Sequence, residues 1–451
     1  MMVDDSLPHL IVVAYALAPG PGGPEAEVNA TLVRALAAHW PAGVSAISGG
    51  RRADTELAGC TLHALGSEGA HALPAPRFSR LAAMLARHRH PDGRRRFLAR
   101  AFEHAVWRTT GWGLKLNAWQ RAASAQLERT LDRHRDACVW SRALPFASIA
   151  AVARVRRKRR FRWLVNLNDP LPADLWPGLY ASHPATDRRT RTRFSQALEK
   201  IDGLSFPCRA LRDLECRGFA RIETLPSALL PHIARPIRPV APAGTRRLRI
   251  AFAGALHKTR ISDAFACAVR RWCQAHPNAA RDLELGFALA VTNVHTEAFL
   301  AALPAGITRS LGPSGPALDR ELASADVLLD LKAEADAPLL NSKTTAYLGH
   351  GKPIWVVGPR QGTVSSVLGR HGCGWQSARD DADAIEAALT QIHRAWRACR
   401  LHRHRPSSEL LARFSAERQV EDLARLVRAV AIPGTRRGQR ATGALLGADW
   451  P

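Results

Sequence analysis

Ala323-Ser324-Ala325-Asp326-Val327-Leu328-Leu329-Asp330-Leu331 is followed by an acidic, proline-containing stretch, residues 332–340, and then by Asn341-Ser342-Lys343. Beyond these, Gly351-Lys352-Pro353 leads into Ile354-Trp355-Val356-Val357-Gly358. A short apolar run with a polar end, a helix start rich in capping side chains and a second apolar run spell one strand–loop–helix–strand unit. Such a unit sets the N–H groups of a helix start beside the carboxyl end of a parallel strand. Phosphorylated ligands bind there in α/β sheets.

The same alternation extends outward. Leu248 to Gly254 opens the series as a buried strand, Leu283 to Leu289 repeats it, and an edge at Gly372-Cys373-Gly374-Trp375 ends it. Amphipathic helices are predicted near Ala382 to Arg397 and Ser408 to Val430. Upstream, the span Pro226 to Gly244 carries five prolines and marks an extended linker. The first half repeats the pattern, with a strand at His9 to Tyr15, a Gly/Pro loop over residues 19–24 and a helix from about Glu25 to His39. Further strands are expected at Val44–Ser48, Cys60–Leu65, Cys138–Trp140, Phe161–Leu167, Gly203–Phe206 and Ile222–Leu225. The fold class is therefore α/β, with two Rossmann-like domains facing across a cleft. The boundaries read as 1–230 for the first domain, 231–247 for the linker, 248–407 for the second domain, 408–432 for a closing helix and 433–451 for a disordered tail.

At 451 residues with 46% apolar side chains, the chain is long enough for two cores. It has no run of 18 apolar residues to span a bilayer. Asp4-Asp5 ahead of the first apolar stretch reads as a cytosolic start. Eight cysteines with no C-x-x-C pair point to a reduced compartment and no zinc site. The net charge of +25 is unevenly placed: from Arg77 to Arg162, 22 Lys and Arg face 5 Asp and Glu, an excess of +17. About residues 77–135 this forms a basic helical insertion in the first domain, with Trp107, Trp112 and Trp119 interleaved. A field of this kind attracts phosphorylated substrates or anionic lipid. No recognition helix or stacking platform suggests nucleic acid. Ordinary solvated surface is the competing reading, since an Arg- and Ala-rich chain carries many such charges.

Leu248 to Leu256, Leu322 to Leu331, Ser342-Lys343 with Tyr347-Leu348 and Gly351-Lys352-Pro353-Ile354, and Arg413-Phe414-Ser415 follow in an order that resembles the GT-B retaining glycosyltransferases of family 4, in a Ser-Lys-bearing branch. Gly22-Gly23 is similar to that family's glycine loop, and Trp140 to Pro145 with Leu167-Asn168-Asp169-Pro170 to its D-P-W stretch. The resemblance implies a nucleotide-sugar co-substrate, no cofactor and no metal. It places the donor diphosphate at Gly22, Gly23, Lys258, Arg260, Ser342, Lys343 and Thr344, and the donor sugar and nucleoside at His257, Glu334 and Asn341. Arg142 and Asp169 fall on the acceptor side, with Asp169 and Glu334 as catalytic candidates. It also implies that the closing helix crosses back to the first domain.

Bland readings compete at several of these positions: a solvated loop at Lys258 and Arg260, a helix cap at Ser342, a simple turn at Gly22-Gly23, and an Asx-type turn at Asp169 before Pro170. The paired glutamates of many family members would fall at Pro338 and Ala346, and neither is acidic here. The expected function is transfer of a sugar to a lipid-linked or saccharide acceptor with retention, in cell-surface polysaccharide or glycolipid assembly. The expected place is the cytoplasm, peripheral on the inner face of the cell membrane. The alternative is an inactive homologue that binds a nucleotide sugar or serves as a scaffold.

Overall fold

The computed structural model describes residues 7–17, 24–49, 56–57, 59–65, 105, 114–143, 145–176, 184–237, 247–289, 292–311, 315–431 and 445–446. The chain divides into two compact units, one of residues 1–231 with 416–450 and the other essentially of residues 232–415.

In the first unit the strands are β1 (Leu10–Ala14), β2 (Val44–Ser48), β3 (Glu56–Leu57), β4 (Cys60–Ala64), β5 (Cys138–Arg142), β6 (Arg162–Asn166), β7 (Gly203–Phe206) and β8 (Ser227–Leu229). The second unit follows with β9 (Leu248–Gly254), β10 (Leu283–Leu289), β11 (Thr308–Ser310), β12 (Val327–Leu331), β13 (Ile354–Gly358) and β14 (Trp375–Ala378), and β15 (Leu445–Leu446) returns to the first sheet.

The second sheet is wholly parallel, in the order β11-β10-β9-β12-β13-β14. Numbered from β9, that is 3-2-1-4-5-6, the doubly wound Rossmann order, which reverses between β9 and β12. Its central strands are largely apolar on both faces because helices cover both. The helix Asp263–Ala275 sets Phe265, Val269 and Trp272 into the core that Ile250 and Phe252 of the sheet also line. Ser262 caps it by accepting from Phe265 N at 3.1 Å. Ile385, Leu389 and Ile392 of the helix Ala382–Arg397 close the same core.

The first sheet has the order β15-β8-β7-β6-β5-β1-β2-β4-β3, parallel except for β3 with β4, and it reverses between β1 and β5. Buried indoles are satisfied inside it: Trp163 Nε1 donates to Ser141 Oγ at 2.9 Å and Trp140 Nε1 to Ser205 Oγ at 3.3 Å.

Several expectations need correction. Residues Ala220–Thr224 make a 3-10 turn, and the strand begins only at Ser227, because Ile222 is used as a buried anchor for the turn. Gly372-Cys373-Gly374 is a turn, with φ of +60° at Gly372 and +91° at Gly374, and the edge strand starts at Trp375.

The closing helix is two helices, Ser408–Arg413 and Ala416–Ala431, broken where the buried Phe414 lends its carbonyl to the amide of Ala234 at 2.9 Å. The second of these belongs to the first unit, where it packs against the helix Pro24–His39 and β8. Within the tail read as disordered, Leu445 and Leu446 pair in parallel with Ser227 and Ala228. Of the basic insertion, the helix Leu114–Arg133 is described, and its Trp119 is a core residue set edge-on to Tyr15, not a surface aromatic. Residues 77–104 and 106–113 lie outside the described residues, as do Gly22 and Gly23.

Candidate functional site

The second sheet's reversal point is built by the ends of β9 and β12. Asp330 sits in an otherwise apolar strand and is fully buried. A carboxylate there demands positive partners, and it has two. Lys332 Nζ lies 3.2 Å from Asp330 Oδ2, and Lys343 Nζ lies 3.0 Å from Oδ1. Thr344 Oγ1 completes the ring at 2.8 Å from Asp330 Oδ2, and Lys332 Nζ donates to that hydroxyl at 3.0 Å. Burial alone would raise the Asp330 carboxyl, but Lys332 and Lys343 hold it well below the usual range. Lys343 is pushed down to about 8 by burial and by the neighbouring charges of Lys332 and Arg260, against the pull of Asp330.

The local backbone makes room for this cluster. β9 ends at Gly254 with φ of +127°, a conformation that side chains rarely adopt. Lys343 rises beside that turn, its Nζ 4.2 Å from the centroid of the Phe252 ring. Tyr347, one turn further along the helix Ser342–Gly349, accepts from Ala253 N at 2.8 Å and ties the helix to β9. Lys332 is fixed between β12 and β13. Its amide donates to Val357 O at 2.9 Å, and a Cβ on Gly358 would come within 2.8 Å of its own Cβ.

Arg260 is brought to the cluster but is engaged in a two-point bond to Asp336, with Nε to Oδ2 at 2.9 Å and Nη2 to Oδ1 at 3.1 Å. Asp336 also accepts from Ala333 N at 3.0 Å, which folds the loop after β12. His257 and Lys258 lie beside Arg260 on an exposed turn.

Asn341, expected at the sugar, is the helix cap: its Oδ1 accepts from Thr344 N at 3.2 Å. The Thr344 amide is thereby occupied, and its hydroxyl faces Asp330, so the amides of Ser342 and Lys343 are the ones left at the helix start. Ser342 is half-buried and is not the cap. Glu334 is exposed on a short 3-10 turn, and the acid that turns inward is Asp336. Ala346 is exposed and Pro338 buried.

The first sheet's reversal point holds a second cluster. Arg142, at the end of β5, is buried, with its guanidinium carbon 5.2 Å from the centroid of the Trp140 ring. Its Nε donates to Asn29 Oδ1, and its Nη2 lies 3.8 Å from Glu25 Oε1. Asn168 Nδ2 donates to the same Glu25 oxygen at 2.8 Å, and the charge of Asp169 also acts on Glu25. Burial pushes the Glu25 carboxyl up to about 7; Arg142 opposes this and Asp169 adds to it. Arg142 is thus a support for Glu25 and not an open anion contact, which corrects its expected role at an acceptor phosphate. Asp169 is half-buried beside this group.

Sequence reasoning alone misses Glu25, Asp330 and Lys332. A signal exists for two of them: an acid in a buried strand, with a lysine two residues on and therefore on the same face, implies a buried ion pair.

No family model matches the chain, and no curated protein matches it in sequence. Solved structures do match. The sucrose-phosphate synthase of Thermosynechococcus elongatus superposes with a TM-score of 0.61 at 12% identity, over 93% of this chain and 98% of that one. Anabaena HepE in complex with UDP and glucose gives 0.60 at 10% identity, over 93% and 99%. The trehalose-6-phosphate structure from E. coli bound with UDP-2-fluoro glucose gives 0.60 at 15% identity, over 94% and 99%. At such identities the likeness is one of fold, and the fold is the two-Rossmann architecture of GT-B glycosyltransferases.

Proposed function

We propose that the protein transfers a sugar from a nucleotide-sugar donor to a saccharide or lipid-linked acceptor with retention of configuration, in the assembly of a cell-surface polysaccharide or glycolipid. The observation that carries this reading is the excess of cations around Asp330 at the carboxyl ends of β9 and β12. As a glycosidic bond to a nucleoside diphosphate breaks, negative charge grows on the leaving phosphate. Cations already in place favour that state over the ground state. Lys343 and the amides of Ser342 and Lys343 are assigned to the diphosphate, with Arg260 and Lys258 on the adjoining loop, and His257 beside them to the donor sugar and nucleoside. Glu334 is assigned to the sugar. With this many cations no divalent metal is needed.

Retention is attributed to attack on the face that the leaving group departs from, the acceptor's proton passing to the departing phosphate, so no covalent nucleophile is assigned. Asp169 orients the acceptor hydroxyl, and Glu25 and Arg142 support it from behind. Glycosyltransferase folds that hold UDP and glucose or UDP-2-fluoro glucose support the donor class. Residues 77–135 are assigned to an anionic membrane surface, with the enzyme in the cytoplasm.

The test is a panel of sugar nucleotides, with and without EDTA, scored for release of nucleoside diphosphate and, by NMR, for the anomeric configuration of the product. Release that needs a divalent metal, or an inverted product, would count against the mechanism. Saturable binding with no turnover on any acceptor would instead favour a binding protein, the reading to which the non-acidic Pro338 and Ala346 lend weight. Co-sedimentation with anionic vesicles, lost when Arg94, Arg95 and Arg96 are neutralised, checks the membrane assignment.

A further inference from the structure

One carboxylate is divided between two ammonium groups in the second unit, and the two are not equivalent. Lys332 is 3% exposed, wedged against Gly358 and bonded to both Asp330 Oδ2 and Thr344 Oγ1. Lys343 is 17% exposed, meets Asp330 through the other oxygen alone, and otherwise rests on the Phe252 ring. Lys332 and Thr344 together suffice to balance Asp330. A lone lysine facing a buried carboxylate would be held there by the full attraction of the pair, and breaking such a pair is costly.

We propose that Lys332 is a positioning residue which neutralises Asp330 from below, so that Lys343 is surplus charge, free to leave the carboxylate for the diphosphate of a nucleotide. Lys332 never touches the ligand. Its presence decides whether Lys343 can. This deepens the donor-site reading given above and rests on it.

The device makes an unusual demand on mutants. Removing Lys332 should weaken binding as if Lys343 had been removed, because Lys343 then becomes the sole partner of Asp330. Removing Asp330 as well should restore binding, since the carboxylate that traps Lys343 is gone. A purely structural role for Lys332 predicts no such recovery.

The experiment is calorimetric titration of the full chain at pH 7 with UDP, and with inorganic pyrophosphate as a probe that lacks a base. Lys343→Met and Lys332→Met should each lose affinity by about tenfold or more. Asp330→Asn/Lys332→Met should bind within about threefold of wild type, the scatter expected of a charge-balanced swap. That double variant removes one charge of each sign and leaves only the partly exposed Lys343 without its carboxylate, so its binding can be read even if Lys332→Met fails to fold. A double variant that binds as weakly as Lys343→Met overturns the inference, as does a folded Lys332→Met that binds like wild type. If wild type binds neither probe, the donor-site reading fails and takes this inference with it; the two failures are therefore distinct.

Discussion

The two sheets reverse their strand order at corresponding places, after β1 in one and after β9 in the other, and each gathers ionisable side chains there. The balance differs. At β12, Asp330 faces Lys332 and Lys343, with Arg260 and Asp336 paired alongside. At β5, a single Arg142 is faced by Glu25, with the charge of Asp169 nearby. The consequence is a carboxylate held firmly ionised in the second unit and a carboxyl pushed up to about 7 in the first. The same backbone address therefore carries an excess of cations in one case and a carboxyl raised toward its neutral form in the other. The ratio of cations to carboxylates sets the chemistry, and the topology only sets the place.

The sharpest way to break that comparison is to delete the acid from each cluster. Asp330→Ala leaves two buried ammonium groups with no counter-charge and should cost about 3–5 kcal/mol of stability, read by denaturant unfolding. A cost near zero would mean that water already reaches the lysines and that the cation excess is solvated.

Next in size is the turn itself. Gly254 ends β9 at φ of +127°, whereas Tyr15, following β1, needs no positive φ. Gly254→Ala should therefore lose about 1–2 kcal/mol and lower UDP affinity by shifting Lys343, while no equivalent strain exists at Tyr15. A smaller effect is expected from pH. Lys343 is held down to about 8, so its charge is present below that pH and lost above it. UDP affinity should fall as pH rises through about 8 and level off at no more than the loss seen for Lys343→Met, and Lys343→Arg should flatten the profile. A flat wild-type profile well into the alkaline range would remove Lys343 from the anion contact.

Much of the scaffold is legible in the chain because parallel strands covered on both sides must be largely apolar. Val44–Ser48, Leu283–Leu289 and Val327–Leu331 stand out for that reason. What escapes reading is decided by partners distant in sequence. The break at Phe414 depends on an amide at Ala234, and β8 and β15 are short strands that exist by pairing with one another and with β7. The site divides in the same way. Lys343 and Arg260 are conspicuous as cations near a helix start and a glycine turn. Glu25 is not, since its significance comes from Arg142 and Asn168, each far away in the chain. Asn341 is visible as a polar residue, but only its bond to Thr344 N shows that its oxygen is already taken.

The smallest effect tests the first unit's side of the comparison. Glu25 has a folded pKa of about 7 against 4.5 for the free side chain, so the unfolded chain gives up its proton first as pH rises. Between those values the folded state holds more protons, and stability drains away through that window, the loss complete only above pH 7. Glu25→Gln cannot ionise and keeps an oxygen for Asn168. The variant should match wild type at mildly acidic pH, near the free side chain's value, and exceed it by about 1 kcal/mol at about pH 8, below the full linkage value because the side chain is still 24% exposed to water. The opposite result, a variant that is weaker at the alkaline end and equal at the acidic end, would show that Glu25 is ionised and bound to Arg142 as a plain salt bridge. The two reversal points would then carry the same chemistry after all, and the contrast drawn between them would fall.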